Sequence, residues 1–198
     1  MRRSYHRHNK YLRIPFNRAI RLLLFADSAW LLAKAMLGPI YAIFVKDVGG
    51  DALDAGITFG AFALAAAATT LIVGRLSDKV KEDELIIVAG FFITALGFIY
   101  YMFVDSMTTL IVAQIIIGIG EATKYPAYDE VYSRHLDKGK GGLEWGAWEA
   151  MAYFSAAIGA VVGGYLVTQF GFNIIFVFMA ALSLGGGIFI YRLPRDVL

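Results

Sequence analysis

The sequence contains no cysteine. That excludes a disulfide framework, a thiolate metal site and a cysteine nucleophile. Histidine is scarce, and His6, His8 and His135 all fall outside the apolar runs. A serine–histidine protease working inside a membrane would therefore lack its base, and no His-Glu-x-x-His zinc motif is present. There is no phosphate-binding glycine loop, and neither a metal nor a cofactor is expected, so an enzyme is not the expected class. Charge is also in short supply. Asp, Glu, Lys and Arg make up 17% of the chain, against about a quarter in an ordinary soluble domain.

What fills the space is apolar. Hydrophobic residues make up 59% of the sequence and the mean hydropathy is +0.63. They are gathered into runs near twenty residues long, the length that crosses a bilayer as helix. Six helices are expected, at about Ile20–Val45, Ala55–Val73, Leu85–Val104, Met107–Tyr132, Trp145–Thr168 and Ile174–Tyr191. The second is rich in alanine and glycine, which allow close helix approach in lipid. Pro126 is expected to kink the fourth. The fold class read from this pattern is an all-α membrane protein with residues 20–192 as one six-helix domain. It is flanked by a basic tail, 1–19, and a short polar tail, 193–198.

The few charges are unevenly placed. Residues 1–21 hold seven basic residues and no acidic one. The apolar run that follows is too long for a cleavable signal peptide. The segment is read as a retained tail that sets topology, rather than as a nucleic-acid-binding arm. Counting the loops after the second, fourth and sixth helices, fifteen of the eighteen Lys and Arg residues lie on one face. By the positive-inside rule that face is cytoplasmic. The expectation is a multi-pass protein of the plasma membrane with both termini in the cytoplasm, inserted in a single orientation.

Three short motifs fall in particular places. Gly74-Arg75-Leu76-Ser77-Asp78-Lys79 lies between the second and third apolar runs. Gln114, Gly118 and Gly120 lie in the fourth. Gly159, Gly163 and Gly164, followed by Phe170-Gly171-Phe172, lie in the fifth and the turn after it. Together they resemble the major facilitator superfamily of transporters, and specifically its N-terminal six-helix half. The Gly-x-Leu-x-Asp-basic stretch matches the start of that family's loop motif. The basic second part of the motif is replaced by Lys81-Glu82-Asp83, and the proline often found in the glycine-rich fifth helix is replaced by Val162.

The resemblance implies half of a major facilitator fold, built as 3+3 helix repeats. It also implies secondary transport of a small-molecule substrate by alternating access, with proton coupling as the expected drive. Full-size members have two six-helix halves in the same orientation. The missing half would come from a parallel homodimer or from a separate partner chain. A membrane scaffold or assembly protein that does not transport is the alternative from another class. By the same resemblance, Gly74, Arg75, Asp78 and Lys79 would form a cytoplasmic gate. The plainer reading makes Asp78 a cap on the third helix and the basic residues topology signals.

Charges inside apolar spans are candidates for function because lipid makes them costly. Asp27, Lys34, Glu121, Lys124 and Glu149 are the five that stand out, and they sum to −1, which favours cationic or neutral substrates. At 1.5 Å of rise per residue, Asp27, Glu121, Lys124 and Glu149 fall near one depth. They would form a substrate or proton pathway or, alternatively, static pairs that hold helices together. Glu121 and Lys124 are three apart and suited to pair on one helix face. Lys34 would either bind an anionic group or snorkel toward the membrane surface. Trp30, Tyr125 and Tyr128, with Trp145 and Trp148, would line an aromatic cavity wall or sit in an interfacial belt.

Overall fold

The computed structural model describes residues 16–77, 79, 82–194 and 197–198. Helices dominate it: α1 (Arg18–Leu37), α2 (Tyr41–Asp47), α3 (Ala52–Ser77), α4 (Asp83–Tyr100), α5 (Met107–Arg134), α6 (Gly141–Phe170) and α7 (Phe172–Tyr191). Among the described residues there is no strand. Grouping α1 with α2 leaves six stretches long and apolar enough to cross a bilayer.

The first span is not continuous, contrary to the expectation from hydropathy. Gly38–Ile40 forms a 3-10 turn between α1 and α2. Pro39 lacks the N–H that an α-helix needs at that point, and its ring crowds the preceding turn. Other boundaries shift outward. α3 runs on to Ser77, so Gly74, Arg75 and Leu76, expected in a loop, form its last turn. α6 starts at Gly141 rather than near Trp145, which brings Glu144 into the helix. Asp78 lies outside the described residues, and the N-cap position of α4 is Glu82. Most of the 1–19 tail also lies outside them.

Local signals account for the helix starts. The Asn17 Oδ1 accepts a hydrogen bond from Ile20 N at 2.9 Å and caps α1. Ser106 and Thr109 form a reciprocal capping box at the start of α5, satisfying donors that the helix leaves open. Gly171 alone separates α6 from α7, at φ +79°, a backbone region that side chains with a Cβ disfavour.

The helices interleave rather than stacking in chain order. α5 packs on α3 and α4, while α1 packs on α6 and α7, and α4 and α7 close the back of the bundle. Small residues set the approach. A Cβ on Gly120 would sit 2.5 Å from Thr94 N of α4, and one on Gly163 would fall on the Met36 carbonyl of α1. Gly159 and Gly163 of the fifth span therefore pack against α1, whereas Gly164 has nothing within 4 Å of an added Cβ. Burial is uneven. α3 and α6 bury only 11% and 17% of their most apolar stretch, whereas α4 buries 56%. Two helices are thus left largely uncovered by this unit.

Candidate functional site

Four of the five expected charges meet between α1 and α5. Their pairing differs from the spacing argument, because no bond forms within either helix. Lys124 Nζ lies 2.5 Å from Asp27 Oδ1, and Lys34 Nζ lies 2.6 Å from Glu121 Oε1. The helices run antiparallel, so the order of sign reverses between the two levels. Asp27 and Lys34 are seven residues apart on α1, about 10 Å along the axis. The charges therefore form two tiers rather than one layer.

The tier nearer the chain termini is sealed. The Asp27 and Lys124 side chains are both 0% exposed. Asp27 Oδ2 accepts a second hydrogen bond, from Trp148 Nε1 at 2.7 Å. The Lys124 ammonium lies 3.5 Å from the centroid of the Trp30 ring and 4.6 Å from that of Tyr125. Ring faces attract a desolvated cation, so the box offsets part of the cost of burying the pair. Tyr125 stands edge-on to both Trp30 and Trp148. Tyr128 is fully buried and stacks on Tyr132, which in turn packs on Trp145. Trp30, Tyr128 and Tyr132 are fully buried inside the bundle, while Tyr125, Trp145 and Trp148 are partly buried against them.

The second tier is open. The Lys34 side chain is 49% exposed and that of Glu121 12%. Both border a cavity of about 250 Å³ reached by α1, α2, α3, α4, α5 and α7. Its wall includes Trp30 as expected, but otherwise uses Phe59, Phe62, Phe98 and Tyr101 in place of Tyr125 and Tyr128. At its far end the Tyr41 and Thr58 hydroxyls are 2.6 Å apart, with Gln114 beside them. Lys34 and Tyr125 also border a shallow hollow of about 420 Å³ between α1 and α6, floored by Ala35, Ala152 and Ala156. Glu149 is exposed on α6 and is not part of either ion pair, and Asp129 is exposed on α5.

A third cluster ties helix ends together on the side of the termini. Asp83, 1% exposed, accepts from Ser77 Oγ at 2.9 Å and pairs with Arg134. Ser77 Oγ also lies 3.1 Å from Glu130 Oε2. This joins α3, α4 and α5 directly beside the expected gate, where Gly74 is half-buried and Arg75 and Lys79 are exposed. Nearby, Glu144 is buried and its Oε2 accepts from Asp137 N at 2.9 Å. Asp83, Glu130 and Glu144 were not expected as site residues. Glu130 and Arg134 have the four-residue spacing of a pair within one helix, but Arg134 bonds Asp83 of α4 and Glu130 meets Ser77 of α3.

Comparison with known proteins agrees with this architecture. The Major Facilitator Superfamily family model matches residues 23–197. An uncharacterized MFS-type transporter, MJ1560 of Methanocaldococcus jannaschii, is 28% identical over 84% of this chain and 43% of its own length. YitZ of Bacillus subtilis, also an uncharacterized MFS-type transporter, is 23% identical over 73% of this chain and 87% of its own length. The probable sulfoacetate transporter SauU of Cupriavidus necator is 26% identical over 71% of this chain and 32% of its own length. The chain thus spans less than half of two of these relatives and most of the third.

Proposed function

The chain belongs to the major facilitator superfamily, and from that premise we propose that it is a secondary transporter of a small solute, working by alternating access as one of two six-helix halves. The observation that carries this reading is the open tier. A lysine half exposed on a membrane span, with Glu149 and Asp129 exposed on the helices beside it, is costly against lipid. Such a face lines a water-filled path or meets another polypeptide. The scarcely buried α3 and α6 flank it with small residues suited to close helix contact. A second copy in parallel orientation supplies the missing half. The charge bias of the loops supports cytoplasmic termini and a plasma-membrane location.

In this reading proton coupling runs through Glu121. It is the pathway carboxylate that touches the cavity, and one of its oxygens, Oε2, has no hydrogen-bond partner. Asp27 and Lys124 hold α1, α5 and α6 together, and the Ser77–Asp83–Arg134 cluster with the α3 end acts as the cytoplasmic gate. Solute-driven proton entry into proteoliposomes loaded with a pH-sensitive dye tests the proposal. At least one solute of a broad panel should acidify the lumen, and Glu121→Gln should abolish that response while assembly is retained. Full activity of Glu121→Gln would overturn the assignment.

A further inference from the structure

We infer that the cavity beside Lys34 and Glu121 takes a small zwitterion with an apolar body, of the kind represented by an aromatic or aliphatic α-amino acid. The inference rests on the transport reading and names its substrate class.

Three features of the cavity carry it. Both members of the pair have capacity to spare. Glu121 Oε1 holds Lys34 while Oε2 is buried without a partner. An ammonium carries three donors, and Lys34 Nζ spends one on Glu121 while facing the rings of Trp30 and Phe62 at 5.3 and 5.8 Å. The pair therefore presents an unmatched, buried acceptor next to donors that are still free. The second feature is charge balance. Lys34 and Glu121 already neutralise each other, so a lone cation or anion would leave a net charge against apolar walls, which is unfavourable. A zwitterion adds none. Its ammonium donates to Glu121 Oε2, its carboxylate accepts from Lys34 Nζ, and the four charges alternate in sign.

The third feature is the shape of the remainder. Beyond the pair the wall is mainly apolar, with Phe59, Phe62, Phe98 and Met179, and its polar groups are Tyr41, Tyr101 and Gln114, with Trp30 Nε1 buried without a partner. Tyr41 is seven residues past Lys34, beyond the Gly38–Ile40 turn, so the two ends lie on the order of 10 Å apart along the span. An apolar body one ring or one branched chain long fits between the two polar ends. At about 250 Å³ the space lies just below the roughly 300–1,000 Å³ of drug-sized sites, as suits a small solute.

The test is equilibrium binding to the intact chain in lipid nanodiscs, with three probes that share a phenyl body. L-phenylalanine carries both charges, phenethylamine only the ammonium and 3-phenylpropionate only the carboxylate. L-phenylalanine should bind, and each single-charge analogue should bind at least about tenfold more weakly, because it leaves either the Lys34 ammonium or Glu121 Oε2 without its partner. Lys34→Gln and Glu121→Gln should each weaken L-phenylalanine by at least about tenfold. The analogue series uses wild-type protein, so it stands even where a variant misfolds. Equal or tighter binding of phenethylamine makes this a cation site, and equal or tighter binding of 3-phenylpropionate makes it an anion site. Either result overturns the inference, as does failure of all three to bind. Failure to bind with solute-driven proton flux intact leaves the transport reading standing. Selective binding of L-phenylalanine without any flux supports the site and removes the transport reading instead.

Discussion

Two ion pairs join the same two helices and are built from the same chemistry, yet they are finished to different degrees. Asp27–Lys124 is wholly enclosed, and both carboxylate oxygens are hydrogen-bonded. Lys34–Glu121 is partly open, borders a cavity, and leaves one carboxylate oxygen unmatched. The difference lies in what packs around each. α6 approaches α1 closely enough for Trp148 to reach Asp27, and Trp30, Tyr125 and Phe91 wall in Lys124. Around Lys34 the neighbours of α6 are alanines. One end of the α1–α5 seam is a joint and the other is a mouth.

The comparison breaks most visibly at the sealed pair. Asp27→Ala strands a buried ammonium and should cost about 3–5 kcal/mol of stability, read as a large drop in thermal unfolding temperature in detergent. Adding Lys124→Met should restore most of it, because an apolar replacement of a buried pair is often neutral. Next comes Trp148→Phe, which removes a hydrogen bond to a charged group and should cost about 1.5–3 kcal/mol without changing solute-driven proton entry. Glu121→Gln should change stability by about 1 kcal/mol or less, as for partly exposed pairs, while removing proton entry. A stability loss equal to that of Asp27→Ala would erase the distinction between the tiers.

The smallest effect belongs to a surface pair that serves as a baseline. Lys140 Nζ donates to Asp137 Oδ2 at 2.8 Å in the loop before α6. The hydrogen bonds from Lys140 and then from Asn17 hold the Asp137 carboxyl below its ordinary range. A depressed folded value means the contribution is fully present above the unfolded value, about pH 4, and is lost as pH falls through the folded one. Asp137→Ala should flatten that acid-side slope, with a small drop in melting temperature at neutral pH, where the contribution is fully present, that closes as the pH falls through the folded value.

Much of this was legible before any coordinates. The spans follow from run length and hydropathy, and Asp27, Lys34, Glu121 and Lys124 announce themselves as charges in apolar sequence. Their partners do not. Spacing within one helix suggests Glu121 with Lys124, but the true pairs depend on which helices adjoin and at what register, and no local pattern records that. The cavity wall is hidden for a related reason, since Phe59, Phe62 and Phe98 look the same in sequence whether they face lipid or a ligand. The break at Gly38–Ile40 is missed by a reading based on hydropathy, although Pro39 carries its signal, because a missing N–H is a local property. Asp83 and Glu144 sit at span ends, where charge is ordinary, and only packing shows that they are buried.

The central claim is that this six-helix unit works against a second one that covers its open face. The most direct test is the mass of the purified protein in lipid nanodiscs, with lipid and scaffold subtracted. The account predicts twice the chain mass of 21.7 kDa. A single chain mass that persists in lipid as the protein-to-disc ratio rises would contradict it.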